Sequence, residues 1–161
     1  IAAGTLARFA DMLRYQLYEC NTGEIPIEKE VAYLNNYIEM EKMRKGNTVG
    51  VSYNVDMQVR HFSIAPLLII PFVENAFKYV SAYADSTNRI DIALVYTHPV
   101  FQLQVENTVD PDAAAASDKT CGGIGLENVK RRLELIYNGR HTLDIQSTDT
   151  AYKVLLSIST S

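Results

Sequence analysis

The hydrophobic period of this chain changes at Gly46, and that change narrows the folds open to it. Before Gly46, apolar residues recur at helical spacing. Leu6, Phe9, Leu13 and Leu17 make one stripe, and Ile27, Val31, Leu34 and Ile38 make a second. After it, Val49, Val51, Tyr53 and Val55 alternate as a half-buried strand does. The same alternation marks Ile90 to Tyr96, Phe101 to Val105, Leu143 with Ile145, and Tyr152 to Ile158. The short link THP makes the second and third of these segments a hairpin. Two helical patterns interrupt the strands, over residues 66–83 and over 124–137, where Leu126, Val129, Leu133 and Ile136 share a side.

Helix boundaries support a hairpin of helices over 2–20 and 26–45. Gly23 in NTGE is expected at positive φ after the first. Pro26 and glutamates 28 and 30 suit the start of the second. Lys42, Arg44 and Lys45 suit its end, which Gly46 closes. The expected architecture is an α+β two-layer sandwich of mostly antiparallel sheet and helices, with residues 1–46 as a helical linker and 47–161 as the main domain. Strands and helices alternate too irregularly for a doubly wound nucleotide fold.

With 161 residues, 47% of them hydrophobic, the chain can build one core without disulfide or metal. A net charge of −4 argues against a general nucleic-acid binder. No apolar run reaches the roughly 18 to 20 residues that span a bilayer, and no signal peptide is read. Cys20 and Cys121 show no metal or redox spacing, which suits a reduced cytosolic setting. The helical pattern is already under way at Ile1, so the chain is expected to be a piece of a longer protein.

The stretch PLLIIPFVENAFKYV, residues 66–80, combines an oily helix with three polar residues. Setting Glu74 at zero, Lys78 falls at about 40° and Asn75 at about 100° around the helix. Such a strip either faces water or offers an oxygen ligand for Mg²⁺ beside a cation for phosphate. Pro71 implies a kink or a late helix start. Downstream, CGGIGLENVKRRL places Gly122, Gly123 and Gly125 at a helix start, where N–H groups can meet an anion. No lysine-serine pair follows, so this is not a P-loop. A polar-faced helix, a hairpin, a patternless stretch over 108–121 and a glycine-rich helix start together describe a nucleotide pocket with a lid.

These stretches resemble the N box and G box of the LytS/YehU-type sensor histidine kinases, of the GHKL ATPase superfamily. MLRYQLY and YIEMEKMRKG resemble that family's linker after the phosphoacceptor helix. The resemblance implies a Bergerat-type ATP-binding sandwich. Its pocket would involve Glu74, Asn75, Lys78, Asn107, Gly123, Gly125 and Leu126. Asn75 would ligate Mg²⁺, Lys78 would contact phosphate, and Gly123 and Gly125 would shape the phosphate end of the ATP site. It further implies γ-phosphoryl transfer to a histidine, a response regulator of LytTR type as partner, and a homodimer in the full-length protein. The location would be the cytoplasmic portion of a bacterial inner-membrane protein.

Three features depart from the family pattern. The phosphoacceptor motif is absent, and His61, His98 and His141 have other surroundings. VENTVDPD puts Asn107 where an adenine-reading aspartate is usual, and Tyr79 and Val80 replace a histidine and a glycine. Two alternatives stay open: a degenerate GHKL module acting as a dimerisation or signalling scaffold, and a kinase of a partner's serine, against which the linker argues.

Overall fold

The computed structural model describes residues 2–19, 23–85, 87–112 and 123–161. Helix α1 (Ala2–Arg14) continues into a π-helical turn, Tyr15–Glu19, and α2 (Ile27–Lys45) returns along it. Thr5 meets Met43 at one end of the pair and Tyr15 meets Glu30 at the other, so the two helices are antiparallel. α2 ends as its sequence indicates: Gly46 takes φ +60° and its N–H donates to the Lys42 carbonyl. Gly23 does not adopt positive φ. The chain there passes directly into an extended pair of residues, β1 (Ile25–Pro26), which pairs antiparallel with β3 (Ser63–Ile64). Two-residue strands are too short to show an alternation, so this small sheet has no signature in the sequence.

The main sheet has five strands in the order β2-β4-β5-β7-β6. They are β2 (Val49–Val55), β4 (Asn88–Thr97), β5 (Val100–Thr108), β6 (His141–Ser147) and β7 (Ala151–Ser159). β2 pairs parallel with β4, and every other pairing is antiparallel. Chain connectivity explains the mixture. Tight turns join β4 to β5 and β6 to β7, whereas β2 reaches β4 only through the crossover helix α3 (Ile70–Tyr79).

One face of the sheet is the core. Ile90, Ile92 and Leu94 of β4, Phe101, Leu103 and Val105 of β5, and Val154, Leu156 and Ile158 of β7 are all buried there. Phe72, Val73, Ala76 and Phe77 of α3 are buried with them, as are Leu126, Val129 and Leu133 of α4 (Gly123–Ile136). Each of the larger of these side chains contributes about 1.5 to 3 kcal/mol by leaving water. The other face presents Ser52, Asn54, Asp91, Gln104, Glu106 and Lys153. The molecule is thus an α+β sandwich with a helical hairpin at its N-terminal end.

Two details differ from the periodicity. α3 starts at Ile70, four residues later than its pattern, because Pro71 fits only the first turn of a helix. The α4 stripe continues from Leu133 by four residues to the buried Tyr137, leaving Ile136 38% exposed. α1 buries none of its residues. Leu6, Phe9, Leu13 and Leu17 are 68, 47, 41 and 62% exposed, so the first stripe lies largely at the surface.

Candidate functional site

Helix α3 lies on β4 and β5 and meets α4 at its side, so the two sequence stretches singled out above are neighbours in space. The polar strip of α3 is divided rather than continuous. Asn75 is buried, 8% exposed. Lys78 is exposed, with its ammonium 5.2 Å from the centre of the Tyr79 ring. Glu74 keeps contact with water but turns toward α2. Partial burial pushes its carboxyl up, and the Glu41 carboxylate of α2 adds repulsion. Beside them, Tyr37 of α2 meets Phe77 edge-on at 5.9 Å. Burial raises the Tyr37 hydroxyl, with Glu41 and Glu74 contributing.

Strand alternation places Asn107 on the inner face of β5, in phase with Leu103 and Val105, and Glu106 on the outer face. Asn107 is 1% exposed. Its Nδ2 donates to the Thr108 carbonyl at 3.1 Å, while Oδ1 is fully buried with no partner. A buried acceptor without a donor costs about 1 to 3 kcal/mol.

A polar network closes this end of the sheet. Ser81 Oγ donates to Asn88 Oδ1 at 2.7 Å and lies 2.6 Å from Thr108 Oγ1. The Ser81 N–H donates to the Thr108 carbonyl, and the Tyr83 hydroxyl donates to the Val109 carbonyl at 2.8 Å. Asn88 Nδ2 donates to the carbonyls of Thr48 and Tyr83. These residues fix the path of the chain from α3 into β4, directly beside Asn107. Sequence reasoning missed them. The available signal was Asn88, a polar residue in phase with Ile90 and Ile92 on the inner face of its strand.

At the start of α4, Gly123 is the first helical residue. A side-chain carbon at Gly125 would meet nothing within 4 Å among the described residues. Leu126 is buried, 3% exposed, and anchors this first turn in the core. Gly122, Cys20, Cys121 and the expected lid from residue 113 onward lie outside the described residues. The three histidines sit away from α3: His61 at a bend, His98 in the β4–β5 turn, and His141 at the start of β6. Among the described residues no group of three or more His, Cys, Asp or Glu could hold a metal.

A histidine kinase family model matches residues 2–49. The sensor protein LytS of Staphylococcus haemolyticus is 26% identical over 153 residues, covering 89% of this chain and 26% of that protein. The chain is thus similar to LytS-type sensor histidine kinases over most of its length. It spans about a quarter of the length of the curated relatives it matches. Its fold is that of the histidine kinase catalytic domain. The catalytic domain of histidine kinase ThkA superposes with a TM-score of 0.60 at 12% identity, covering 86% of this chain and 99% of that one. Full-length ShkA in complex with AMPPNP superposes with a TM-score of 0.60 at 14% identity, covering 98% of this chain and 36% of that one. Among the described residues no helix is long and apolar enough to cross a membrane.

Proposed function

We propose that the chain is the ATP-binding catalytic domain of a two-component sensor histidine kinase. In this proposal residues 1–46 link the domain to a phosphoacceptor helix, and residues 47–161 bind the nucleotide. The observation that carries it is the buried, partnerless Oδ1 of Asn107 on the inner face of β5, the strand against which α3 packs. The chemistry of these side chains fits a purine nucleotide. An amide oxygen accepts from an exocyclic amino group as an aspartate would, without the added strength of a charge. Asn75 offers a second amide oxygen, a hard ligand suited to Mg²⁺. Lys78 supplies a point charge one turn further along the same helix.

Bound Mg-ATP would supply the phosphoryl group and the metal charge that neutralises it during transfer. The protein's part is positioning. Asn107 and the Ser81–Asn88–Thr108 network hold the base end of the site. Asn75 and Lys78 hold the metal and phosphate end, which Gly123 and Gly125 leave open to close approach and Leu126 anchors. Glu74 faces α2, so its role is at the border between hairpin and pocket rather than on the nucleotide. The acceptor histidine would belong to the phosphoacceptor helix of the longer protein, followed by relay to a response regulator of LytTR type. The exposed stripe of α1 fits a second copy of the same helix, giving the homodimer of a kinase whose cytoplasmic portion this chain would be.

The test is nucleotide titration of the 161-residue chain by calorimetry, with and without Mg²⁺. Micromolar, Mg²⁺-dependent binding is expected. No binding at millimolar nucleotide would favour a scaffold that has lost its ligand.

A further inference from the structure

Glu30 is a carboxylate at 1% exposure in the first turn of α2, on the face it shares with the buried Ile27, Tyr33, Leu34 and Ile38. Its Oε1 accepts from the Tyr15 hydroxyl at 2.8 Å and from the Leu67 N–H. Leu67 has φ +58°, a left-handed conformation that a leucine adopts only when its surroundings hold it there. The surroundings are specific. On the far side of the same loop, Arg132 of α4 donates to the Leu67 carbonyl at 3.3 Å and to the Pro66 carbonyl at 2.8 Å. The neighbouring Ala65 N–H donates to the Tyr137 hydroxyl at 2.9 Å.

Residues 65–69 are therefore gripped from two directions: by α2 through Glu30, and by α4 and the residue that follows it through Arg132 and Tyr137. The loop runs straight into α3, which carries Asn75 and Lys78. α4, which packs against α3, begins at Gly123. Whatever sets this loop sets the two helices relative to each other. A buried charge is costly unless its partners make it useful, and here the partners are a strained peptide and the hairpin.

We propose that Glu30 is a positioning residue for the nucleotide site. It fixes the Leu67 turn, and through it the placement of α3 against α4, and its bond to Tyr15 ties that placement to the helical hairpin. The proposal rests on the nucleotide reading given above and adds a residue outside the pocket to it. The device is mechanical: the helix that points toward the phosphoacceptor region holds the loop that sets the metal-ligand helix.

The test uses the 161-residue chain and the variants Glu30→Ala, Glu30→Gln, Arg132→Met and the Glu30→Ala/Arg132→Met pair. Mg-ATP affinity is measured by calorimetry, well below each melting temperature. The side-chain amide resonance of Asn75 is followed without nucleotide. Glu30→Ala and Arg132→Met are each expected to weaken binding about tenfold and to shift the Asn75 resonance, leaving the β6–β7 turn unmoved. The pair should cost no more than the worse single change, since both grip one loop. Glu30→Gln keeps an accepting oxygen and should bind within about twofold of wild type. If Glu30→Ala does not fold, the Arg132→Met affinity and Asn75 shift decide. Wild-type binding with unchanged affinity and Asn75 shift in the variants overturns the positioning role and leaves the nucleotide reading standing. A wild-type chain that binds no nucleotide overturns both.

Discussion

Asn107 and Glu30 are the two buried polar residues whose surroundings say most about what this molecule does. Asn107 carries an oxygen without a donor, and its amide nitrogen bonds a carbonyl that Ser81 also serves. Replacing it by leucine removes an unsatisfied acceptor without orphaning that carbonyl. Asn107→Leu should therefore change stability by no more than about 1 kcal/mol while abolishing nucleotide binding. Denaturant melts and calorimetry on the same sample separate the two effects, and a leucine variant that still binds ATP normally removes Asn107 from the site.

Glu30 makes a prediction about pH. Burial holds its carboxyl above the usual range, and its bonds to Leu67 and Tyr15 and the charge of Arg132 offset this only in part. The folded chain thus keeps this proton to higher pH than the unfolded chain does. The associated stability is complete below the unfolded pKa and is lost as pH rises through the folded one. Glu30→Gln has no proton to lose. The stability of wild type relative to this variant should fall as pH rises above the ordinary glutamate range, about 4.3. A relative stability that is flat or rising there contradicts the account.

At the scale of elements, the periods of the sequence translate into strands and helices wherever one face is buried and the other wet. β4, β5 and β7 are legible for that reason, and so is the inner placement of Asn107. The late start of α3 was half legible, since Pro71 announces a constraint without saying which of its two outcomes holds. What could not be read was anything set by a distant residue. The Leu67 turn depends on Glu30 and Arg132, which lie 37 and 65 positions away. Likewise, helical arithmetic put Glu74, Asn75 and Lys78 on one strip. Which of them is buried depends on where the sheet and α2 lie, and only Asn75 faces inward.

α1 shows the reverse case. Its stripe is plain in the sequence, yet it is exposed in the folded chain. Leu6→Glu with Leu17→Glu should leave the melting temperature within about 2 °C of wild type, because those side chains bury little in the monomer. The same changes should abolish self-association measured by sedimentation equilibrium. A melting temperature that falls steeply would place the stripe in the chain's own core instead.

For the whole molecule, a mixed five-stranded sheet carries α3 and α4 on one face, with a buried amide oxygen on β5 and a second amide on the α3 helix that packs on it. The hairpin is joined to that assembly through the Leu67 loop and through Tyr37 against Phe77 of α3. The central claim is that this assembly holds a nucleotide with its metal. The most direct measurement is a calorimetric titration of Mg-ATP into the wild-type chain and into Asn75→Ala, each repeated with the metal chelated. The account predicts micromolar binding by wild type that weakens on chelation. It predicts at least tenfold weaker binding by Asn75→Ala, with little further loss on chelation, since an outright metal ligand is gone. Equal affinities for the two proteins, or a wild type indifferent to Mg²⁺, would contradict it.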